Sequence, residues 1–353
     1  MLRSLPILGF CPAQCKCSSS LYKSPPVTYI IRSCDPGTPE LSQAPSSPLT
    51  SYSRTPSPVP IPPGPSESST TLSRFFSFLR AAFEIADEGS IPLTPTQKKI
   101  AEDRDRYLPF RQLGPSKRTV LEDPQGPFSP TRLRTREGFF DALVFRLITQ
   151  ASPILLQERR VHFGSPSILK EATKGKSEPD YCNPSATGQH NRFRNIPYIP
   201  TYWKHAADWS DLVTRGITLE SLLAWLTGKE GSKKRFFGMG NLVGWLLASD
   251  YAYAGLVDIP DTLEVGRIIF EIDAGGRGGL ALLGFDVCTP DACAKSLSNV
   301  WAAVRTQFTT AEIHEMGLDL ITLEHALCKF KRLHRVIERV SDSISFPIFN
   351  MRI

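Results

Sequence analysis

Helix signals recur from residue 71 to residue 345, and no stretch there alternates apolar and polar residues as a half-buried strand does. Apolar residues repeat on one helical face in LSRFFSFLRAAFEIADEG and again in TREGFFDALVFRLITQASPILL. Other segments begin at a capping residue, as in TPTQKKIAE and PDTLEVGRIIFEI. The pattern predicts an all-α domain over residues 71–345.

The first 70 residues have a different composition, rich in proline, serine and threonine, as in SPLTSYSRTPSPVPIPPGPSESSTT. Proline removes backbone donors, and serine competes for those that remain, so such a segment cannot build a core. We therefore predict a disordered tail over 1–70, followed by the helical domain.

Charge narrows the class of protein only slightly. The chain has 353 residues, with 41 Lys+Arg against 35 Asp+Glu and a net charge of +6. This balance permits a nucleic-acid partner without requiring one. No apolar run is long enough to predict a membrane span, so a membrane is not among the expected partners. The sequence identifies neither a cofactor nor an oligomeric state.

Cys11, Cys15 and Cys17 form a C-x3-C-x-C run near the start of the chain. The run has no paired second half, so we predict no metal site and interpret the cysteines as reduced thiols. The first acidic residue is Asp35. A basic start of this kind has some likeness to a mitochondrial presequence, although a basic disordered tail is the favoured interpretation.

A glycine cluster in DAGGRGGLA places Gly276, Gly278 and Ala281 at G-x-G-x-x-A spacing, the outline of a dinucleotide-binding loop. No strand–helix–strand unit surrounds it, and the preceding segment has helical caps. A glycine-rich turn between two helices is therefore the favoured interpretation. Small residues in such a turn let the backbone approach a ligand closely.

A second glycine pair, Gly238 and Gly240 in FFGMGNLVGWLLA, has the sequence shape of a helix-hairpin-helix. The N–H groups that begin the second helix have no partner within the helix, and with the helix dipole they favour an anion such as a DNA phosphate. Lys233, Lys234 and Arg235 lie just upstream and would add sequence-independent attraction. The alternative is an ordinary helical hairpin with a solvated basic loop.

Three segments follow one another in a recognisable order. FFGMGNLVGWLLASDYAY ends with Asp250 and, three residues later, Tyr253; DAGGRGGLALLGF is the glycine cluster; and DLITLEHALCKFKRL carries His325 and Cys328. Together, over roughly residues 230–335, they resemble the helical domain shared by 5-hydroxymethyluracil DNA kinases and α-glutamyl/putrescinyl thymine pyrophosphorylases.

The resemblance implies an all-α domain of the helix-hairpin-helix, DNA-glycosylase-like kind that acts on thymine-derived bases in DNA. The chain departs from the family at Asp273-Ala274, where the family has Gly-Pro, and after Cys328, where basic residues replace two acids and a tyrosine. It also has no phosphate-binding G-x-x-x-x-G-K-[ST] loop. These departures leave open a member of the family that binds DNA without catalysis.

Three residues are candidates for catalysis. Asp250 would act as a general base or position a nucleophile, and its alternative role is a local helix-terminal hydrogen bond. His325 and Cys328 are three residues apart and share a helix face, so they would serve as proton carrier and thiol nucleophile, or as half of a metal site. Their alternative role is a hydrogen-bonded histidine and a small buried cysteine in the core.

The candidate DNA-contacting residues lie in the hairpin and the glycine cluster. They are Lys233, Lys234, Arg235, Gly238, Gly240, Asn241, Tyr253, Arg277, Gly278 and Gly279. Tyr253 would stack on a base taken out of the duplex, or it would be a half-buried core aromatic. The basic and aromatic mixture in NRFRNIPYIPTYWKHAADW suits nucleic acid and also suits an ordinary loop packed over helices.

The sequence thus predicts a nuclear DNA-binding protein that transfers a group at 5-hydroxymethyluracil in DNA. Two alternatives come from other classes: a non-catalytic DNA-binding adaptor and an α-helical protein-interaction domain. The nuclear location follows only from the expected DNA substrate, and a mitochondrial location is the alternative.

Overall fold

The structure is a computed structural model that describes residues 66–86, 89–183, 192–228 and 235–344. Within these ranges the regular elements are all helices, and no strand is present. The prediction of an all-α chain is therefore confirmed. Residues 1–65, most of the predicted disordered tail, lie outside the described residues. The first helix begins at Ser66, so the helical domain starts earlier than the predicted boundary at residue 71.

The helices before residue 215 are mostly short. They are α1 (Ser66–Glu84), α2 (Pro95–Glu102), α3 (Arg104–Tyr107), α4 (Pro115–Glu122), α5 (Arg136–Val144), α6 (Pro153–Leu156), α7 (Pro166–Thr173), α8 (Glu178–Tyr181), α9 (Ile199–Ala206) and α10 (Trp209–Thr214). Two 3-10 segments, Arg111–Leu113 and Arg192–Tyr198, and one π-helical segment, Phe145–Thr149, lie among them.

The later helices include the longest of the described residues. They are α11 (Leu219–Thr227), α12 (Asn241–Tyr253), α13 (Thr262–Ile272), α14 (Gly275–Leu282), α15 (Pro290–Gln307), α16 (Thr310–Glu315) and α17 (Leu320–Ile344). The predicted starts of α2 and α13 are confirmed by their caps. The Thr94 side chain accepts from the N–H of Gln97, and Asp261 forms a capping box with Glu264.

Two helices run through the core and are buried on all sides. Every residue from Gly138 to Val144 in α5 and from Val243 to Ala252 in α12 is buried. Helices buried all round lose the amphipathic stripe that surface helices show. An aromatic group links them to α10. The ring of Phe139 stacks on Trp209 at a centroid distance of 4.3 Å, and Trp209 lies 4.7 Å from the ring of Tyr251.

The C-terminal helices pack in pairs around α12. The closest pairs are α13 with α15 and α14 with α17, and α17 also contacts α3. The glycines of α14 make the second pair possible. A Cβ atom on Gly279 would lie 2.5 Å from the backbone oxygen of Leu327, so only a residue without a side chain fits there. This packing brings α17 over α12 and next to α3, where the candidate site lies.

Candidate functional site

The buried carboxylate of Asp250 is held by three basic side chains. Arg146 contacts it with two nitrogens, Nε to Oδ2 at 2.5 Å and Nη2 to Oδ1 at 2.6 Å. Lys117 Nζ lies 3.1 Å and Arg111 Nη2 lies 3.3 Å from Oδ1. The exposed fraction of the four side chains is 6% or less. One carboxylate therefore faces three enclosed cations.

Four different elements supply this cluster. Asp250 is on α12, Lys117 on α4 and Arg111 on the 3-10 segment, where its Nη2 also donates to the backbone oxygen of Leu246 at 2.7 Å. Arg146 is on the π-helical segment, in which the N–H of Gln150 bonds the oxygen of Phe145, five residues earlier. Such single π turns interrupt an α-helix and are frequent at functional sites.

The charges of the cluster alter the pKa values of its members. Burial alone would raise the pKa of Asp250, but the charges of Arg146, Lys117 and Arg111 outweigh burial and lower it, so the group is a carboxylate. Burial lowers the pKa of Lys117 to about 7, despite the attraction of Asp250. Burial also lowers the pKa of Arg146. Three basic groups around one carboxylate leave an excess of positive charge. Enclosing this excess costs free energy unless a second anion binds beside Asp250.

A cleft opens above the three cations, and its lining is strongly basic. Its free volume is about 70 Å³, which is room for roughly five water molecules. Six basic residues line it: Arg104, Arg111, Lys117, Arg146, Lys329 and Arg332. The acidic lining residue is Asp105, whose carboxylate accepts from both the N–H and the hydroxyl of Ser116. We call this feature the basic cleft and the Arg111, Lys117 and Arg146 group its floor.

The mouth of the basic cleft is formed by α3 and α17. Lys329 Nζ donates to the backbone oxygens of Asp105 and Arg106, both at 2.9 Å, and Arg332 Nη1 donates to the oxygen of Arg106 at 3.2 Å. These bonds fix the positions of the two cations without neutralising them. Burial lowers the pKa of Lys329 to about 8.

His325 and Cys328, which were predicted to share a helix face, both line the basic cleft. Nδ1 of His325 lies 2.7 Å from the backbone oxygen of Pro109. Since a carbonyl only accepts, Nδ1 carries the proton and Nε2 keeps its lone pair. Burial, with the charges of Lys329 and Arg111, lowers the pKa of His325 well below its usual value, so the ring is neutral.

Cys328 is a protonated thiol in this setting. Burial raises its pKa, and the charge of Glu324 adds to this effect. Its side chain packs against Gly275, where a Cβ atom would collide with the sulfur. The predicted role as a nucleophile stays a prediction, although these surroundings do not activate the thiol.

Asp250 was predicted to face a pocket from the end of a hairpin helix. It does lie near the end of α12, but the three cations separate its carboxylate from the cleft, and its side chain has no exposed surface. A general base must reach the proton that it removes, so this arrangement suits a carboxylate that positions the cations.

Sequence reasoning missed Arg111, Lys117 and Arg146. A signal for Arg146 was its place in the apolar run FFDALVFRLIT.

Tyr253 is engaged within the protein. Its hydroxyl lies 2.9 Å from Oδ1 of Asp319 and 2.9 Å from Oγ1 of Thr322, and the side chain is half-buried. The alternative interpretation, a half-buried core aromatic, is the one that the structure matches. Two aromatics of the predicted nucleic-acid segment, Tyr202 and Trp209, are also fully buried in the core.

The hairpin glycines have different surroundings. Gly238 has a φ of 80°, in the left-handed region, and a Cβ there would lie 2.5 Å from Oδ1 of Asn195. Gly240 begins α12 without a side-chain cap and has open space around it. Asn241 donates from Nδ2 to the backbone oxygen of Glu271 at 3.0 Å. Residues 235–240 are not helical, and residues 229–234 lie outside the described residues, so the helix-hairpin-helix stays a prediction.

The basic residues of the hairpin are only partly described. Lys233 and Lys234 lie outside the described residues, which omit 229–234. Arg235 is half-buried, with its guanidinium 5.7 Å from the ring centre of Trp225.

The glycine cluster was predicted to be a turn, and this was wrong: residues Gly275–Leu282 form α14. A Cβ on Gly278 would collide with Nζ of Lys331 on α17. Gly278 and Gly279 therefore allow two helices to approach, and they do not present a backbone to a ligand. Arg277 donates to Asp273 Oδ1 at 2.6 Å and to the backbone oxygen of Val287 at 3.0 Å.

A second buried carboxylate, Asp141 on α5, is neutralised differently. It accepts from Arg132 Nη2 at 2.6 Å and lies 2.8 Å from Nδ1 of His162. Its other oxygen accepts from the backbone N–H groups of Phe163 and Gly164 at 3.0 and 2.8 Å. This group fastens the loop before α7 to the core.

Within the described ranges no group of three or more His, Cys, Asp or Glu side chains is arranged to hold a metal ion. The cysteine run at 11–17 lies outside them. None of the helices in the described part of the chain has the length and apolar character to cross a membrane. No family model, no curated protein and no solved structure matches this chain.

Proposed function

We propose that the chain binds duplex DNA at the basic cleft and acts in the modification of a thymine-derived base, as the family that its sequence resembles does. The observation that carries the proposal is the convergence of six basic residues on one small cleft in a chain whose net charge is only +6. Phosphate groups are the commonest partners of such concentrated positive charge.

Two further features support a phosphate-bearing partner. Leu242, in the first turn of α12, lines the cleft. This turn has no side-chain cap, so its N–H groups and the helix dipole add to the attraction for an anion. Arg332, which is half-buried, stands at the mouth, where it would meet the DNA backbone and release counterions on binding.

The neutral ring of His325 gives the cleft an acceptor among its donors. A thymine-derived base offers the N3–H as the donor of its pairing edge, and the lone pair on Nε2 of His325 would accept from it once the base leaves the duplex. The backbone oxygen of Pro109 accepts a hydrogen bond from the N–H at Nδ1, and this bond holds the ring in the tautomer with a free lone pair on Nε2. Base modification, most simply a transfer at a hydroxymethyl group, is the activity that the resemblance adds.

A non-catalytic DNA-binding adaptor is the second candidate, and one observation favours it. Two of the three residues predicted to be catalytic have surroundings that do not favour chemistry: Asp250 is enclosed by cations, and the pKa of Cys328 is raised. DNA binding is common to both candidates, and turnover separates them.

The first experiment measures binding of the full chain to matched duplexes that contain thymine or 5-hydroxymethyluracil, by fluorescence anisotropy at several salt concentrations. We expect the logarithm of the affinity to fall linearly with the logarithm of the salt concentration. Arg332→Ala should weaken binding to every duplex and make the slope shallower by about one. Lys170→Ala, an exposed lysine on α7, is the matched control and should leave both unchanged.

The recovered DNA is then digested for nucleoside mass analysis. A new nucleoside mass after incubation with candidate donors supports the transferase, and salt-sensitive binding without a new mass supports the adaptor. If no duplex binds at low salt, or if Arg332→Ala and Lys170→Ala behave alike, the DNA assignment is wrong and the helical protein-interaction domain becomes the best alternative.

A further inference from the structure

Among the described residues, the floor of the basic cleft carries more positive charge than its ion pairs neutralise. Arg146 contacts both oxygens of the Asp250 carboxylate, and Arg111 and Lys117 share this same carboxylate. The exposed fraction of each basic side chain is 6% or less. Cations enclosed in excess of the anions around them are costly, and proteins ordinarily pair them or leave them to a bound anion. The excess corresponds to about two positive charges when Arg111 and Lys117 are both protonated.

The floor also has donors left over. Nη1 of Arg111 is buried and has no hydrogen-bond acceptor among the described residues. The Lys117 ammonium has three N–H donors, and among the described residues its polar partner is Asp250, at 3.1 Å. The ammonium also lies over the ring of Phe128, 3.6 Å from Nζ to the ring centre. Buried donors without acceptors are rare in native proteins and often mark the place of an absent ligand.

We propose that the floor of the basic cleft binds a phosphomonoester dianion, a terminal phosphate group rather than the diester backbone of DNA. The inference rests on the proposed function and names the part of the ligand that this site takes. A phosphomonoester carries about −1.5 to −2 charge at pH 7 and three strong acceptor oxygens, which match the excess of charge and the donors of the floor. A diester carries one charge, and both ester oxygens continue into the chain.

The division of the cleft supports this assignment. Arg332, at the mouth, is half-buried and bonded to a backbone oxygen, a position that suits the diester backbone. The floor cations expose 6% or less of their side chains, and the whole cleft has a free volume of about 70 Å³. A terminal phosphate suits so small a space, and a continuous strand does not.

The test compares three probes on the full chain by calorimetry: methyl phosphate, the diester dimethyl phosphate, and duplexes of one sequence with 5′-phosphate or 5′-hydroxyl ends. We expect methyl phosphate to bind at least about tenfold more tightly than dimethyl phosphate, because it adds a charge and a third free oxygen. Lys117→Met should lose about tenfold in affinity for methyl phosphate. It keeps both contacts of Arg146 with Asp250, and circular dichroism and the melting temperature report whether it is folded.

If the Lys117→Met variant does not fold, Lys117→Gln replaces it. The comparison of methyl phosphate with dimethyl phosphate is made on the original chain and needs no variant. Equal affinity for the two small probes overturns the dianion assignment. A folded Lys117 variant that binds methyl phosphate as tightly as the original chain overturns the location.

The duplex arms separate the sources of the phosphate and also test the proposed function. Tighter binding of the 5′-phosphate duplex supports a phosphate carried on DNA. Methyl phosphate binding with no effect of the 5′-phosphate supports a small free phosphomonoester. If duplexes bind in a salt-sensitive manner and methyl phosphate does not, the inference fails while the proposed function stands. If methyl phosphate binds and no duplex does, the DNA assignment fails instead.

Discussion

The side chains of Asp141 and Asp250 have no exposed surface, and their surroundings differ in one respect. Asp141 has one arginine, one histidine and two backbone N–H groups as partners. We call it matched because a single arginine balances the charge of its carboxylate. Asp250 is overmatched, with Arg146, Lys117 and Arg111 around one carboxylate. Both lie on helices buried all round, so burial alone does not distinguish them.

The difference separates a structural carboxylate from one that organises a binding site. Burial dominates at Asp141 and raises its pKa, whereas the cations dominate at Asp250 and lower its pKa. A matched buried group needs nothing from solvent. An overmatched group keeps cations in place for a further anion, which the described residues around Arg111 and Lys117 do not supply. Replacing each carboxylate by its amide tests this distinction.

The largest effect is expected for Asp250→Asn. The substitution leaves three enclosed cations without a carboxylate, so the free energy of unfolding should fall by about 3–5 kcal/mol. Denaturant unfolding of the full chain measures it. Millimolar methyl phosphate should then raise the melting temperature more in the variant than in the original chain, because the dianion supplies the missing charge.

A melting temperature of Asp250→Asn close to that of the original chain would contradict the model of an overcharged floor. A destabilised variant that methyl phosphate does not rescue would leave Asp250 as a structural group and remove the distinction from Asp141.

Asp141→Asn should have a smaller effect, a loss of about 2 kcal/mol. The amide oxygen still accepts from the N–H groups of Phe163 and Gly164, but the charge-assisted bond from Arg132 is weakened. Methyl phosphate should not restore its stability, since Arg132 is the one arginine or lysine in contact with this group among the described residues. Unfolding with and without methyl phosphate is the measurement. Equal rescue of both variants would show that the phosphate acts elsewhere on the protein.

The sequence predicted the fold class because helical periodicity and caps are local. Thr94 and Asp261 begin helices through bonds to residues three positions away, and no distant contact is needed to recognise them. The glycine cluster shows the limit of such reasoning. Four glycines in eight residues predict a turn by propensity, yet the contact with α17 makes them helical, because only glycine lets the two backbones approach.

The site was partly predictable for a related reason. His325 and Cys328 are three residues apart on one helix, so their common face follows from the helical period. Arg111, Lys117 and Arg146 come from three elements, and Asp250 joins them only in the folded chain. A buried cluster assembled over more than a hundred residues leaves no spacing to find: Arg146 and Asp250 are 104 positions apart.

The binding of methyl phosphate should weaken as the pH rises through the pKa of Lys117. Lys117 faces Asp250, Arg146 and Arg111, and its pKa is about 7. It must be protonated to attract the dianion, so the affinity should fall about tenfold between pH 7 and pH 8.5. Lys329, with a pKa of about 8, adds to the decline at higher pH.

Calorimetry across this range measures the affinity and the uptake of a proton on binding. Lys117→Met should bind weakly with a flatter profile below pH 8. An affinity that stays constant from pH 7 to pH 8.5 would exclude Lys117 from the contact with the ligand.

The smallest expected effect is an opposite response of the two aspartates to acid. The folded pKa of Asp250 lies below its usual value of 3.8, so its contribution to stability is present above that value and is lost as the pH falls through the folded pKa. The folded pKa of Asp141 lies above 3.8, so the folded state takes up its proton first and gains stability as the pH falls towards that value.

The difference in unfolding free energy between the original chain and Asp250→Asn should therefore shrink below pH 3.8. The corresponding difference for Asp141→Asn should grow between neutral pH and pH 3.8. Urea unfolding at several acidic pH values gives both curves, in which the titrations of all other groups cancel. Two curves that change in the same direction would mean that the carboxylates have equivalent surroundings, and the distinction between matched and overmatched groups would be lost.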